Sequence, residues 1–135
     1  MLVDTGAWLA AFHRRDQYHA QAAAELRRLR DSRTPLVVTD LVLAETHLHL
    51  LHTLGPVRAA DHLSTLKTDP AIEEVYATPA LQHSALSEWI RRFSDQPFTL
   101  TDAISFAVMR DRGIGSAFAF DSHFRTAGFR LLPEL

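Results

Sequence analysis

The alternation of short apolar runs with longer amphipathic segments most constrains how this chain can fold. Strand-like runs occupy residues 1–4, 35–39, 72–76, 116–121 and 130–132. Helical spacing covers residues 7–11, 18–29, 41–51, 57–66, 79–93 and 101–110. Strands that alternate with helices of about ten residues or more predict an α/β domain with a largely parallel sheet. The unbroken apolar runs at 1–3 and 117–120 favour a sheet covered on both faces.

The length and composition suit one ordinary globular domain spanning residues 1–135. The chain has a mass of 15.2 kDa, with 47 % hydrophobic and 22 % charged residues and a net charge of −2. It has no cysteine, which excludes disulfides and thiolate metal sites. No basic and apolar leader or membrane-length apolar run is present, so we expect a cytoplasmic protein.

The string Asp-Thr-Gly-Ala at residues 4–7 also occurs around the catalytic carboxylate of small aspartic proteases. Those proteases are nearly all-β, and their motif lies in a loop well inside the chain. Here the string leads from a first strand into a helix of an α/β protein. The protease interpretation is therefore rejected.

Two of the apolar runs end in an aspartate, Asp4 and Asp121. The carboxyl ends of parallel strands meet at one edge of a sheet, where sites of α/β proteins form. Each aspartate can instead cap the helix that follows it, because Asp is a good N-cap residue. The presence of two such strand ends in one short chain favours a functional site at the sheet edge over two separate helix caps.

Glu45 lies in an unusual setting for a glutamate. It falls between Leu41 and Leu48 on the apolar stripe of a predicted helix. Glutamate is almost never buried without a partner. We therefore expect Glu45 to lie at the rim of the core and to bind a cation, with pairing to an arginine as the alternative.

Asp102 has two interpretations. Thr99 and Asp102 fit a capping box at the start of a helix, and a negative charge there needs no further function. Ser105 lies one turn further on and can hydrogen-bond either Asp102 or water at a metal. Capping suffices for Asp102 alone, whereas the other three carboxylates favour a shared site.

Four segments occur in an order and spacing typical of one family. Residues 3–5 are VDT, residues 39–45 are TDLVLAE, residues 98–109 are FTLTDAISFAVM and residues 119–124 are AFDSHF. Together with the ending AGFRLLP at 127–133, they resemble the PIN-domain ribonucleases, and more narrowly the VapC toxins of bacterial toxin–antitoxin pairs. The resemblance covers the whole chain. It implies a three-layer α/β/α domain with a central, mainly parallel sheet of four to five short strands.

The resemblance also implies a function and a set of site residues. PIN domains hold Mg²⁺ or Mn²⁺ with acidic residues at the carboxyl edge of the sheet. By motif match, the catalytic and metal-binding residues here are Asp4, Glu45, Asp102 and Asp121, with Thr5, Ser105 and His123 as supporting residues. Carboxylates without cysteine suit such hard ions, which activate water for attack on a phosphodiester. The implied protein is an RNA-cleaving, homodimeric toxin, inhibited by an antitoxin that docks over residues 7–51.

Several interpretations stay open from the sequence alone. A nuclease of RNA maturation and a non-catalytic binding module with a structural acidic cluster are the alternative functions. His49 and His52 share the face of Glu45 and can form a zinc site with it, although surface histidines are commoner. Asp40 is predicted to cap the helix at 41–51. Local arginines, Arg14, Arg15 and Arg125 among them, are expected to grip RNA.

Overall fold

A computed structural model describes all residues, 1–135, and shows a five-stranded sheet. The strands are β1 (Leu2–Val3), β2 (Leu36–Thr39), β3 (Ile72–Val75), β4 (Ser116–Phe118) and β5 (Arg130–Leu132). Their order is β3-β2-β1-β4-β5, and every neighbouring pair is parallel. The predicted parallel sheet is confirmed. None of the helices has the length and apolar character that a membrane crossing requires.

Seven helices connect the strands. They are α1 (Thr5–Phe12), α2 (His19–Asp31), α3 (Asp40–Leu54), α4 (Pro56–Thr68), α5 (Pro79–Ser84), α6 (Leu100–Arg112) and α7 (His123–Thr126). A π-helical segment at Ala85–Ile90 continues α5, so the helix predicted at 79–93 is present but changes its winding. The sequence pattern did not predict α7, which is only four residues long.

The start of α3 differs from the prediction. Asp40 is the first residue of the helix, and the cap is Thr39, whose Oγ1 accepts the backbone N–H of Val42 at 3.1 Å. The side chain of Asp40 instead accepts the backbone N–H of Ala77 at 2.9 Å. Asp40 therefore ties α3 to the chain that leaves β3, and the prediction that it caps the helix was wrong.

The core forms two layers because successive side chains of a strand point to opposite faces of the sheet. Leu2, Val37 and Ala117 share one face with α6 and the π-helical segment. Phe106 of α6 packs there against Phe124 with ring centroids 5.0 Å apart. The opposite face carries alternating strand residues packed against α1 to α4; its buried members include Val3, Trp8, Leu29, Val38, Val42 and Phe118. The predicted three-layer architecture is confirmed.

Gly113 ends α6 in a left-handed conformation with φ of 65°. Gly113→Ala is expected to lower the free energy of unfolding by about 1 kcal/mol, because a Cβ disfavours this backbone region. A Cβ at this position would contact nothing within 4 Å, so no clash contributes. Urea unfolding measures the change. Gly115→Ala is the matched control, since Gly115 is equally open but has no left-handed φ; equal losses in both variants would contradict the conformational explanation.

The sheet order brings the ends of the three inner strands to one edge. β1 lies between β2 and β4, and all three run in the same direction. Asp4 follows β1 directly, α3 starts at the end of β2, and Asp121 lies three residues beyond β4. The topology therefore places the sequence-predicted carboxylates at the same edge.

Candidate active site

Four carboxylates from four separate stretches of the chain meet at the carboxyl edge of the sheet. Asp4 joins β1 to α1, and Glu45 lies in the second turn of α3. Asp102 lies in the first turn of α6, and Asp121 lies between β4 and α7. The site is thus assembled by the topology and not by one local motif.

Asp4 is the most strongly perturbed group of the cluster. It is only 6 % exposed, and burial raises the pKa of its carboxyl to about 7. That value of about 7 already includes the opposing effect of a hydrogen bond from the Thr5 backbone, which lowers the pKa, and the smaller effects of the charges of Asp102, Asp121 and Glu45, which raise it. Asp4 occupies the N-cap position of α1 but makes no side-chain capping bond. Helix capping therefore does not account for this buried carboxylate.

Asp102 does form the predicted capping box. Its Oδ2 accepts the backbone N–H of Thr99 at 3.1 Å, and its own N–H donates to Thr99 Oγ1 at 3.1 Å. The same Oδ2 lies 3.1 Å from Nδ1 of His123. Its Oδ1 makes no hydrogen bond within the protein. The two interpretations of Asp102 are therefore compatible, because the cap fixes one oxygen and leaves the other for a ligand.

His123 lies within the cluster and contacts two of its carboxylates. Besides Asp102, its Nδ1 is 3.4 Å from Oδ2 of Asp121, while Asp121 Oδ1 accepts the His123 backbone N–H at 2.9 Å. The ring packs edge-on against Phe98, with centroids 5.3 Å apart. Ligand atoms of Asp102, Asp121 and His123 all lie within 4.8 Å of one another. The sequence placed His123 only at the edge of the site.

Buried hydroxyl groups without partners lie beside the carboxylates in sequence. Thr5 Oγ1 and Ser105 Oγ are both buried and make no hydrogen bond. The bond from Ser105 to Asp102 that the sequence allowed does not form. Thr46 Oγ1, next to Glu45, is also buried without a hydrogen bond, and the sequence did not indicate a role for this residue. A buried hydroxyl without a partner is costly, so each of these groups is a candidate to bind water or a ligand.

Glu45 is half-buried and makes no ion pair or hydrogen bond within the protein. Its charge contributes to the raised pKa of Asp4, so the two carboxylates lie close enough to interact. The alternative of a pairing arginine is not realised. The structure gathers no metal-ligating group around His49 and His52, and both histidines are exposed.

The donor set fits a divalent cation that prefers oxygen ligands. No lysine or arginine contacts any of the four carboxylates, and the one basic side chain that does is the imidazole of His123. Arg110 and Arg112 of α6, by contrast, pair with Glu88 and Glu73. Four clustered carboxylates with so little compensating charge repel one another, and a bound Mg²⁺ or Mn²⁺ would remove that repulsion.

The fold and this acidic edge define a class of protein. Residues 1–130 match the family described as "PIN domain", and the chain belongs to that family. It is 36 % identical over 136 residues to the 23S rRNA-specific endonuclease VapC20 of Mycobacterium tuberculosis, in strains CDC 1551 and H37Rv, covering 99 % of both chains. The crystal structure of M. tuberculosis VapC20, described as a Sarcin-Ricin loop cleaving toxin, matches with a TM-score of 0.82 and 34 % identity over 95 % of each chain. The family resemblance found in the sequence is confirmed.

Proposed function

We propose that this protein is a divalent-metal-dependent endoribonuclease and the toxin of a toxin–antitoxin pair. The observation that carries the proposal is the carboxylate cluster, without a lysine or arginine partner, at the carboxyl edge of a PIN-domain sheet. Similarity over nearly the full length to a curated RNA endonuclease toxin supports it. We propose a cytoplasmic setting, where both RNA and an antitoxin are accessible.

The side chains of the site have separable tasks in this proposal. Asp4, Glu45, Asp102 and Asp121 hold Mg²⁺ or Mn²⁺. Such an ion supplies positive charge that makes water more acidic and offsets the charge developing on a phosphodiester. The hydroxyls of Thr5 and Ser105 orient water or a phosphate oxygen, which would give these orphaned donors their partners. The oxygen of water forms the new bond to phosphorus, the bond from phosphorus to the departing ribose oxygen breaks, and one proton of the water ends on that ribose oxygen.

We propose that the substrate is large-subunit ribosomal RNA and that the cut lies in its sarcin–ricin loop. The support is the printed specificity of VapC20, a relative that matches this chain over nearly its whole length. Arg14, Arg15 and Arg125 make no ion pair in the structure, so their guanidinium groups are free to contact phosphates. With a net charge of −2, the protein then relies on local contacts and not on a broadly basic face.

We further propose an antitoxin that docks over residues 7–51 and blocks the site. Leu48 of α3 is 52 % exposed and lies one turn beyond Glu45, so a partner on this helix would cover the catalytic edge. An antitoxin fragment that binds while cleavage continues would refute this occlusion. A homodimer, as the family resemblance implies, is tested by light scattering of the free toxin.

Removal of the metal is expected to abolish cleavage and lower stability. Intact bacterial ribosomes are incubated with the protein in Mg²⁺, in Mn²⁺ or in EDTA, and primer extension locates the cut in 23S rRNA. Cleavage is expected with a metal only. At a metal concentration about a hundred times Kd, binding stabilises by about 2.7 kcal/mol, which is a rise in melting temperature of about 8–11 °C.

The outcome also discriminates between the alternative functions. Cleavage in EDTA would contradict the metal-dependent proposal. Metal binding without cleavage of ribosomes, but with cleavage of precursor RNAs, would favour a nuclease of RNA maturation. Neither metal binding nor cleavage of any RNA would favour a non-catalytic module whose acidic cluster is structural.

A further inference from the structure

We propose that a cavity beside Asp121 binds one unstacked base of the RNA, next to the phosphate that is cut. This inference rests on the proposed ribonuclease function and deepens it, because such a cavity would determine which sequence is cleaved. It assigns a role to the surface formed by the ends of β4 and β5, whose only residue in the proposed metal site is Asp121.

The cavity has a volume of about 170 Å³ and lies where β4 and β5 end. We call it the β4–β5 cavity; its lining residues are Ala119, Phe120, Ser122, Arg125, Leu131, Pro133 and Leu135. Phe120 and Ser122 are the two neighbours of Asp121 along the chain. A nucleotide whose phosphate lies at the carboxylates therefore has this cavity within reach of its own base or of the adjacent one.

The lining has the chemistry that recognises a base. Phe120 and Leu131 supply apolar walls, and bases taken out of a stack pack against aromatic and apolar side chains. Phe120 is held in place because its ring stacks on Tyr18, with centroids 4.6 Å apart and planes 4° from parallel. An aromatic wall that is fixed before binding loses little conformational entropy when a ligand arrives.

Polar groups at the cavity are without partners in the protein. Arg125 lines it and forms neither an ion pair nor a side-chain hydrogen bond. Its planar guanidinium suits both a phosphate and the face or edge of a base. The backbone N–H of Phe120 donates to no other protein group. The cavity thus combines apolar walls with a few free donors, as specific ligand sites do.

The size of the cavity favours a single base over a larger occupant. A volume of 170 Å³ is that of about five or six water molecules in the liquid, which suits one ring system of about ten non-hydrogen atoms. A drug-sized ligand needs about 300 Å³ or more. The free cation also favours a nucleotide over an apolar side chain of another protein.

Nuclear magnetic resonance of the metal-free protein tests the site without any cleavage. The probes are the four nucleoside 5′-monophosphates, with ribose 5-phosphate as the matched compound that lacks a base. We expect nuclear Overhauser effects from the Leu131 methyls and the Phe120 ring to base protons of at least one nucleotide. Shifts at Arg125 alone, reproduced by ribose 5-phosphate, would overturn the base site in favour of a phosphate contact.

A cycle of variants on RNA provides the second test. Ser122→Leu, which narrows the β4–β5 cavity, and Arg125→Gln are assayed on the cleaved RNA and on copies that are abasic at either nucleotide beside the cut. On intact RNA each variant is expected to lower kcat/KM by about 5–150-fold, the range found when one base loses its stacking partner. On RNA that lacks the bound base, Ser122→Leu should have little further effect, and Arg125→Gln should keep only the smaller loss that comes from its phosphate contact.

The controls separate this proposal from the proposed function. Arg92→Gln removes an exposed arginine that likewise has no ion pair but does not line the cavity. This variant should cut the intact RNA and both abasic RNAs as wild type does. Equal losses of the cavity variants on intact and both abasic RNAs would overturn the base site while leaving the ribonuclease intact. Absence of cleavage by the wild type would instead contradict the proposed function. The nuclear magnetic resonance experiment would still show whether the β4–β5 cavity binds a base.

Discussion

Asp102→Asn is expected to lower RNA cleavage by at least about a hundredfold, as happens when one preorganised electrostatic group is lost from an active site. Asparagine keeps an oxygen that can accept the Thr99 backbone N–H, so the cap of α6 and the fold should persist. The substitution removes the negative charge and the Oδ1 atom, which makes no hydrogen bond within the protein. The rate is measured on the RNA cut by wild type, with the melting temperature recorded for both proteins.

Asp111→Asn is the matched control for this substitution. Asp111 lies on the same helix, nine residues further on, which is about 13 Å along the axis, and it is exposed. Its removal should leave the rate within about twofold, as for ordinary surface changes. Full activity of Asp102→Asn would assign Asp102 to helix capping alone and remove it from the site.

Asp4→Asn is expected to stabilise the metal-free protein while abolishing cleavage. Burial and three neighbouring carboxylates raise the pKa of Asp4 from 3.8 to about 7, so its charged form is disfavoured in the folded state. That difference corresponds to at most about 4 kcal/mol, and structural relaxation reduces it. We expect a gain of about 2 kcal/mol at pH 8, or about 6–8 °C in melting temperature.

The sign of the pH dependence follows from the raised pKa. Protonated Asp4 is favoured in the folded protein. Its contribution to the free energy of unfolding is therefore complete below pH 3.8 and is lost as the pH rises through about 7. Asparagine does not titrate. The stability advantage of Asp4→Asn should therefore be small near pH 4, grow as the pH rises and level off above about 7.

Urea unfolding in EDTA across this pH range measures the effect. Addition of Mg²⁺ or Mn²⁺ should reverse the order, because the metal stabilises wild type more than a variant lacking one ligand. Asp111→Asn again serves as the control and should show neither change. A variant no more stable than wild type in EDTA at pH 8 would contradict the view that the carboxylates crowd one another.

The fold was largely predictable because its patterns are regular. Five short strand-like runs and the intervening helical stretches predicted the elements, and the parallel direction of the strands followed from their alternation. The π-helical winding at Ala85–Ile90 was not predictable, since the apolar spacing of 79–93 fits an ordinary helix. Asp40 was misassigned because Thr39 and Asp40 are both good caps, and only the contact to Ala77, 37 residues away, decides between them.

The proximity of the four carboxylates was predictable, whereas their contacts were not. Strand ends, the apolar setting of Glu45 and the family motifs pointed to all four residues before the structure placed them together. The contact of His123 with both Asp102 and Asp121 depends on how α7 turns back over the edge, and α7 is too short for a periodic signal. The unpaired hydroxyls of Thr5 and Ser105 likewise emerge only from three-dimensional packing.

The crowding around Asp4 has a consequence for how long the protein survives in a cell. Without a cation, repulsion at the carboxylate edge enlarges the population of unfolded chains, which cellular proteases degrade. Loading with metal reduces that population by mass action. Molecules that have acquired their ion should therefore persist, whereas empty ones are cleared. Under the proposed metal-dependent function, nuclease competence and half-life in a cell are then coupled through the same four side chains.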